Sequence, residues 1–152
     1  MKLEWICKDF DALSSLELYK IIQLRINVFM LEQNCFYPDC DDKDLKGKHL
    51  YAVHGNDVVS YARLLPAHVS YSVPSIGRVV VRKDLRKEKI GFELMQKAIA
   101  RVRSDFPAPE IRISAQAHLQ NFYQNLGFMP EGEIYLEDDI PHIEMILKNK
   151  EE

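Results

Sequence analysis

Val79-Val80-Val81-Arg82-Lys83-Asp84-Leu85-Arg86-Lys87-Glu88-Lys89-Ile90-Gly91-Phe92 carries the chain from a β-branched run, through a basic turn, into a helix start marked by a glycine. A turn feeding a helix N-terminus aims several backbone N–H groups at one spot, and the helix dipole adds positive potential there. Residues 82–89 hold five cations against two acids, within a chain whose formal net charge is −3. A focused positive spot in an acidic chain points to a phosphate-bearing small molecule rather than a nucleic-acid backbone. Taken alone it also fits a solvated basic surface. Two nucleotide sites are excluded: the sequence has no Walker loop, and no G-x-G-x-x-G follows a strand.

Downstream of this segment, Ile90, Leu94, Met95, Ala98, Ile99 and Val102 fall at helical spacing, predicting an amphipathic helix to about Ser104. Pro107 and Pro109 stop it, and residues 111–114 read as the next strand. Residues 117–126 predict a shorter helix with Gly127 as its left-handed stop, and Phe128 with residues 143–147 supplies the last strands. Upstream, residues 76–81 read as a buried central strand. Residues 49–53 and 58–64 flank the turn cluster Gly55-Asn56-Asp57, which suggests a β-hairpin. Residues 3–7 form a first strand. Ser14 or Ser15 then caps a helix that should run to about Gln33, before a polar loop over 34–48. The order is that of a mixed α/β domain covering residues 1–152.

The 152 residues suit one domain, and a chain this long buries enough surface to fold without a metal or disulfide. At 47% hydrophobic and 28% charged residues, it is globular rather than disordered. No apolar run reaches the roughly 18 residues of a membrane span. The start Met1-Lys2-Leu3-Glu4-Trp5 lacks the apolar core of a signal peptide, so a cytoplasmic protein is expected, with neither nucleic-acid nor membrane partners. Cys7, Cys35 and Cys40 make an odd count without a secretion signal, against a disulfide framework. Their spacing to His49 matches no common zinc pattern, and no metal is expected. The acidic stretch Asp39-Cys40-Asp41-Asp42-Lys43-Asp44 fails as a calcium loop, because Asp44 occupies the glycine position and Leu50 that of the final glutamate. It reads as solvated acidic loop, with a weaker hint, together with Asp138 and Asp139 near the end, of a cationic acceptor.

The segment Arg86-Lys87-Glu88-Lys89-Ile90-Gly91 resembles the pyrophosphate loop of the GNAT superfamily of acyl-CoA-dependent N-acetyltransferases, written [RQ]-x-x-G-x-[GA]. Tyr123-Gln124-Asn125-Leu126-Gly127-Phe128 resembles the Y-x-x-x-G-F segment of that family, at the family's separation of one helix and one strand. The ElaA-type subgroup is closer still. Gln23-Leu24-Arg25 with Val28-Phe29, Glu32-Gln33-Asn34-Cys35, residues 115–123 and Ile140-Pro141-His142-Ile143 are similar to its signature blocks. One departure stands out, since Lys89 replaces the family's first glycine.

The resemblance implies a GNAT-like α/β fold: a mixed, mostly antiparallel sheet splayed at its central strands and flanked by helices. It implies transfer of an acetyl group from acetyl-CoA to a small-molecule or peptide amine by direct attack through a tetrahedral intermediate. Val79, Val80 and Val81 would pair with the pantetheine arm. Arg86, Lys87, Lys89, Ile90, Gly91 and Phe92 would hold the pyrophosphate, with Gln116 and Asn121 as further cofactor contacts. Tyr123 would protonate the departing thiolate. The family's common glutamate on the central strand is missing, because Gly77 and Arg78 precede Val79; Glu32 is then the preferred base over His118 and His142. Each residue has a plainer reading: Tyr123 as a core aromatic with a satisfied hydroxyl, Gly91 as a helix-packing glycine. The alternative function is a non-catalytic acyl-CoA-binding module, which would keep the loop but not need Tyr123. Oligomeric state stays open, with exposed strand edges allowing a homodimer.

Overall fold

Gly55, at φ +62°, and Asn56 form a two-residue turn that joins β2 (Lys48–His54) to β3 (Asp57–Leu65) as an antiparallel hairpin. Around this hairpin the computed structural model, which describes residues 2–149, builds one seven-stranded sheet. Residues 1 and 150–152 of the expected domain lie outside the described residues. Strand β1 (Glu4–Asp9) pairs with β2, and β4 (Ser75–Val81) with β3. On the far side lie β5 (Glu110–Gln116), β7 (Ile140–Lys148) and the edge strand β6 (Met129–Glu137). The order is β1-β2-β3-β4-β5-β7-β6, antiparallel except where β4 meets β5.

Helix α1 (Ser15–Arg25) starts at Ser14 in a capping box: Ser14 Oγ accepts the Glu17 N–H at 3.0 Å, and the Glu17 carboxylate accepts the Ser14 N–H at 2.8 Å. Its Ile21 and Leu24 pack on Tyr51, Tyr61 and Val80, on one face of the sheet. Helix α2 (Ile90–Asp105) buries Leu94, Met95, Ala98, Ile99 and Val102 on the other face, against Leu50, Leu64 and Ile76. The two faces follow from strand alternation, with Leu50 and Tyr51 pointing opposite ways.

Four expectations need correction. The first helix does not run as an α-helix to Gln33; after Arg25 it widens into π-helical turns over Ile26–Glu32, with Gln33 N–H bonded to Val28 O and Cys35 N–H to Met30 O. The shorter helix divides into a 3-10 turn, Ala117–Leu119, and α3 (Gln120–Gln124). Gly127 at φ +104° ends it as expected: its N–H bonds Gln124 O while the Phe128 N–H bonds Tyr123 O, a Schellman closure. A Cβ on Gly127 would also press to 3.0 Å from Leu147. Phe128 belongs to no strand but is fully buried; the strand follows it as β6, whose mostly exposed, glutamate-rich residues carry no apolar alternation. Finally, β4 is central but only partly buried, because the sheet opens beside it.

That opening positions the site. Strands β4 and β5 register at one pair, Ser75 with Arg112, and then diverge. On its other side β4 carries a bulge: two steps from Tyr61 to Arg63 on β3 oppose three from Val80 to Gly77, with Arg78 at φ +48°. The extra residue bends β4 away from β5.

Candidate active site

The gap between β4 and β5 opens on two cavities. One, of about 1000 Å³, is mainly apolar and reaches the loop before α2. The second, of about 420 Å³, is mainly polar and lies under the 34–44 and 66–74 loops. Phe29, Gln33, Val79, Gln116, Tyr123 and Ile140 wall both, so the cavities adjoin at these residues. The π-helical turns let Val28, Phe29, Glu32 and Gln33 face the larger cavity together.

Backbone groups of β4 point into the gap by strand alternation. Arg82 N–H donates to Val59 O at 2.8 Å, and Val80 O accepts Ser60 Oγ at 3.3 Å, so Val80 and Arg82 turn toward β3. The amides and carbonyls of Val79 and Val81 therefore turn the other way. Of the three expected contact residues, Val80 has its backbone committed to β3 and its side chain in the core beneath α1. Val79, and Val81 through its amide, remain to pair with an extended ligand, the Val81 carbonyl accepting from Arg86 Nε at 3.1 Å.

Beyond β4, a 3-10 segment (Lys83–Glu88) leads to Lys89 at φ +59° and then to α2. This left-handed turn explains why a glycine suits the position: Lys89 adopts it at a cost of about 1 kcal/mol. The amides of Ile90, Gly91 and Phe92 begin α2 and have no carbonyl one turn back within the helix. The Ile90 side chain is core, whereas Gly91 and Phe92 wall the large cavity with Lys87 and Lys89. A Cβ built on Gly91 would meet Val81 at 3.6 Å and Phe122 at 3.7 Å, which is ordinary contact. Protein packing therefore does not require a glycine here. The open amides and bare Cα fit a phosphate group that approaches the backbone.

The positive charge is more committed than composition suggests. Arg82 pairs with Asp84 at 2.7 Å. Arg86 makes a two-pronged ion pair with Glu32 and donates from Nε to Val81 O. Hydrogen bonding from Arg86 holds the Glu32 carboxyl below its ordinary range. Glu32 is thus an anion occupied by a cation on the large-cavity side, an arrangement opposed to the base expected of it. Among the described residues no carboxylate pairs with Lys87 or Lys89.

Tyr123 is 6% exposed and packs edge-on to Phe122 and Phe128, with ring centroids 5.1 and 6.0 Å away. Among the described residues its hydroxyl has no hydrogen-bond partner, unlike the satisfied core tyrosine of the plainer reading. Burial pushes its pKa up to about 12, keeping the proton on at neutral pH. Gln116 faces both cavities and reaches Gln33 at 3.4 Å. Asn121 is exposed and walls neither cavity, and His118, also exposed, walls only the large one.

The acidic loop is only partly solvated: Asp39 and Asp44 are buried and Asp41 partly so, while Asp42 is exposed. Arg25, 0% exposed, donates from Nε to Asp39 at 2.8 Å and from Nη1 to Asp44 at 2.9 Å. Arg63 bridges Asp41 and Asp44, and Arg78 joins Asp39 and Asp41. Burial alone would raise the Asp44 carboxyl, but hydrogen bonds and charge from Arg25 and Arg63 hold it below its ordinary range. These aspartates are partnered within the fold and so do not argue for a cationic acceptor. The network forms one wall of the polar cavity through Asp41, Arg63 and Arg78. The signal for it was three arginines and three aspartates whose partners only folding reveals. The three cysteines are free thiols, and among the described residues no helix is long and apolar enough to cross a membrane.

A family model described as an acetyltransferase (GNAT) domain matches residues 27–149. The chain is 43% identical over 145 residues to protein ElaA of Escherichia coli, covering 94% of this chain and 95% of that one. It is 42% identical over 148 residues to a UPF0039 protein of Schizosaccharomyces pombe, covering 96% and 97%. The crystal structure of E. coli ElaA superimposes with a TM-score of 0.91 at 41% identity, over 97% of this chain and 100% of that one. That of an acyl-CoA N-acyltransferase from Pseudomonas aeruginosa also gives 0.91, at 39% identity over 96% and 99%.

Proposed function

Because the chain belongs to the GNAT acetyltransferase family, whose members use acyl-CoA, we propose that it transfers an acetyl group from acetyl-CoA to an amine. The observation that carries this reading is the position of Tyr123 at the junction of the two cavities. An activated acyl group enters from the amide-lined apolar side, and a small-molecule or peptide amine from the polar side.

Acetyl-CoA would supply a thioester carbonyl and a thiolate leaving group. On the chain's side, the amides of Ile90, Gly91 and Phe92, with Lys87 and Lys89, hold the pyrophosphate at the start of α2. Val79 and Val81 extend β4 by one ligand strand, and an outward amide of β4 polarises the carbonyl. A single such donor is worth about 10²–10³ in rate where it has been removed elsewhere. Tyr123, protonated and facing the junction, donates its proton to the departing sulfur. A binding module would have no use for a proton donor there, whereas an acyltransferase needs one beside the departing sulfur.

The test is thermal denaturation with and without CoA, followed by thiol release from acetyl-CoA across an amine panel. CoA should raise the melting temperature by mass action. No shift at millimolar CoA overturns the cofactor assignment; a shift without thiol release from any amine favours the binding module.

A further inference from the structure

An amine acceptor that arrives as an ammonium ion cannot attack until it loses a proton, and the acceptor side must provide for this. Glu32 and His118 wall the large cavity only, whereas His142 walls the polar cavity beside Gln116 and Tyr123. His142 is 7% exposed. Its place is set by the sheet, where it registers with Gln116 on β5 and with Tyr135 on β6.

The surroundings of the imidazole decide its protonation pattern. Nδ1 lies 2.7 Å from the carbonyl oxygen of Ile140, which can only accept, so the neutral ring carries its hydrogen on Nδ1. The lone pair then sits on Nε2, 3.4 Å from a Glu137 carboxylate oxygen. A carboxylate at that distance can pair with the ring once Nε2 carries a hydrogen. Glu137 is itself held by Ser114 Oγ at 3.2 Å; that hydroxyl bonds Tyr135, whose ring stacks on His142 at 6.2 Å between centroids. Around this end of the cavity stand Glu137 and Tyr135 of β6, Asp138 of the β6–β7 turn, Tyr71 of the β3–β4 loop, and Glu144 paired with Arg112. The Asp41, Arg63 and Arg78 network and Lys43 line the remainder.

We propose that His142 is the catalytic base of this site, its Nε2 taking the proton from the ammonium acceptor while Glu137 holds the resulting imidazolium. The proposal rests on the acyl-transfer reading above. An N–H bond of the ammonium breaks and one forms at Nε2. The bonding pair stays on the substrate nitrogen as its nucleophilic lone pair, and the positive charge passes to a ring with a carboxylate oxygen 3.4 Å from Nε2. The proton later leaves to water. Acid and base thus stand on different elements, Tyr123 on α3 at the junction and His142 on β7 in the polar cavity.

The experiment compares wild type with His142→Gln and Glu137→Gln, using acetyl-CoA with two probes. One is a strongly basic primary alkylamine; the other is hydroxylamine, which is uncharged at assay pH. His142→Gln should lose about 10²–10³ in kcat/KM for the alkylamine near neutral pH. It should recover as the pH rises toward the amine's own ionisation, and stay near wild type with hydroxylamine throughout. Glu137→Gln, at a half-exposed position, should show a smaller loss of the same kind. Equal loss with both probes at every pH overturns the proposal in favour of a structural role, and no loss with either assigns the base elsewhere. A readout independent of turnover is the ¹⁵N spectrum of the ligand-free protein, which should show neutral His142 protonated at Nδ1. Protonation at Nε2 overturns the proposal. Wild type inactive with every amine overturns the acyl-transfer reading, and this one with it; a defect confined to the variants bears on His142 alone.

Discussion

Gly91→Ala separates a glycine required by the fold from one kept for a ligand. Gly91 lies in the first turn of α2 outside the positive-φ region, so alanine can adopt its backbone. The added Cβ would rest at 3.6 Å from Val81 and 3.7 Å from Phe122, without displacing either. Restricting the unfolded chain then stabilises the ligand-free protein by about 0.4–1 kcal/mol. For a domain of this size that corresponds to roughly 1–4 °C in melting temperature. In the proposed complex the same methyl stands over the amides of residues 90–92, where the pyrophosphate approaches. Losing one charge-assisted hydrogen bond costs about 1.5–3 kcal/mol, or about 10- to 100-fold in CoA affinity. Thermal melts of the ligand-free protein and calorimetric titration with CoA on one preparation give both numbers. The reasoning requires opposite signs, a higher melting temperature with weaker binding. A lower melting temperature would show that the fold needs the glycine. Unchanged CoA affinity would show that the loop does not meet the pyrophosphate there.

Three further outcomes follow from the geometry. Tyr123→Phe should lower kcat by about 10–10³ with little change in CoA affinity, and full kcat would remove the hydroxyl from the mechanism. Glu32→Gln frees Arg86 and removes a negative charge from the CoA cavity, so CoA should bind a few-fold more tightly at low salt with kcat retained; a collapse in kcat would restore Glu32 as the base. His49 is buried between Tyr61 and the Asp44 carbonyl, and burial depresses its pKa, so the unfolded chain takes up its proton first. Stability should therefore fall as pH drops below about 6.5, with a slope approaching one proton, or about 1.4 kcal/mol per pH unit. In urea titrations between pH 8 and 5, His49→Gln should flatten that slope, and an unchanged slope would place the titration elsewhere.

Much of the fold was legible because its signals are local. The serine cap before α1, the Gly55-Asn56 turn, the stripe of α2 and the stop at Gly127 each depend on residues within a few positions of one another. The loop before Gly91 was legible for the same reason, since a strand, a turn and a helix start lie within fourteen residues. Local reasoning failed at β6, an exposed edge without alternation, and at the π-helical turns over Ile26–Glu32. There the residue types suit an α-helix and the wider winding goes with a wall of the cavity.

Charged residues are the sharper case. By itself the sequence determined that this chain is a mixed α/β domain with a positive, amide-rich helix start, because periodicity, capping and turn chemistry act between neighbours along the chain. Only the tertiary structure decided that β4 and β5 part after a single registered pair, and that Tyr123 stands at the opening. It also turned an apparently solvated acidic loop into a buried lattice around Arg25, and tied Glu32 to an arginine 54 positions away. A charge shows its sign in the sequence, but its chemistry is set by the partner and the burial that folding gives it. Those depend on distances through space that the order of residues does not record.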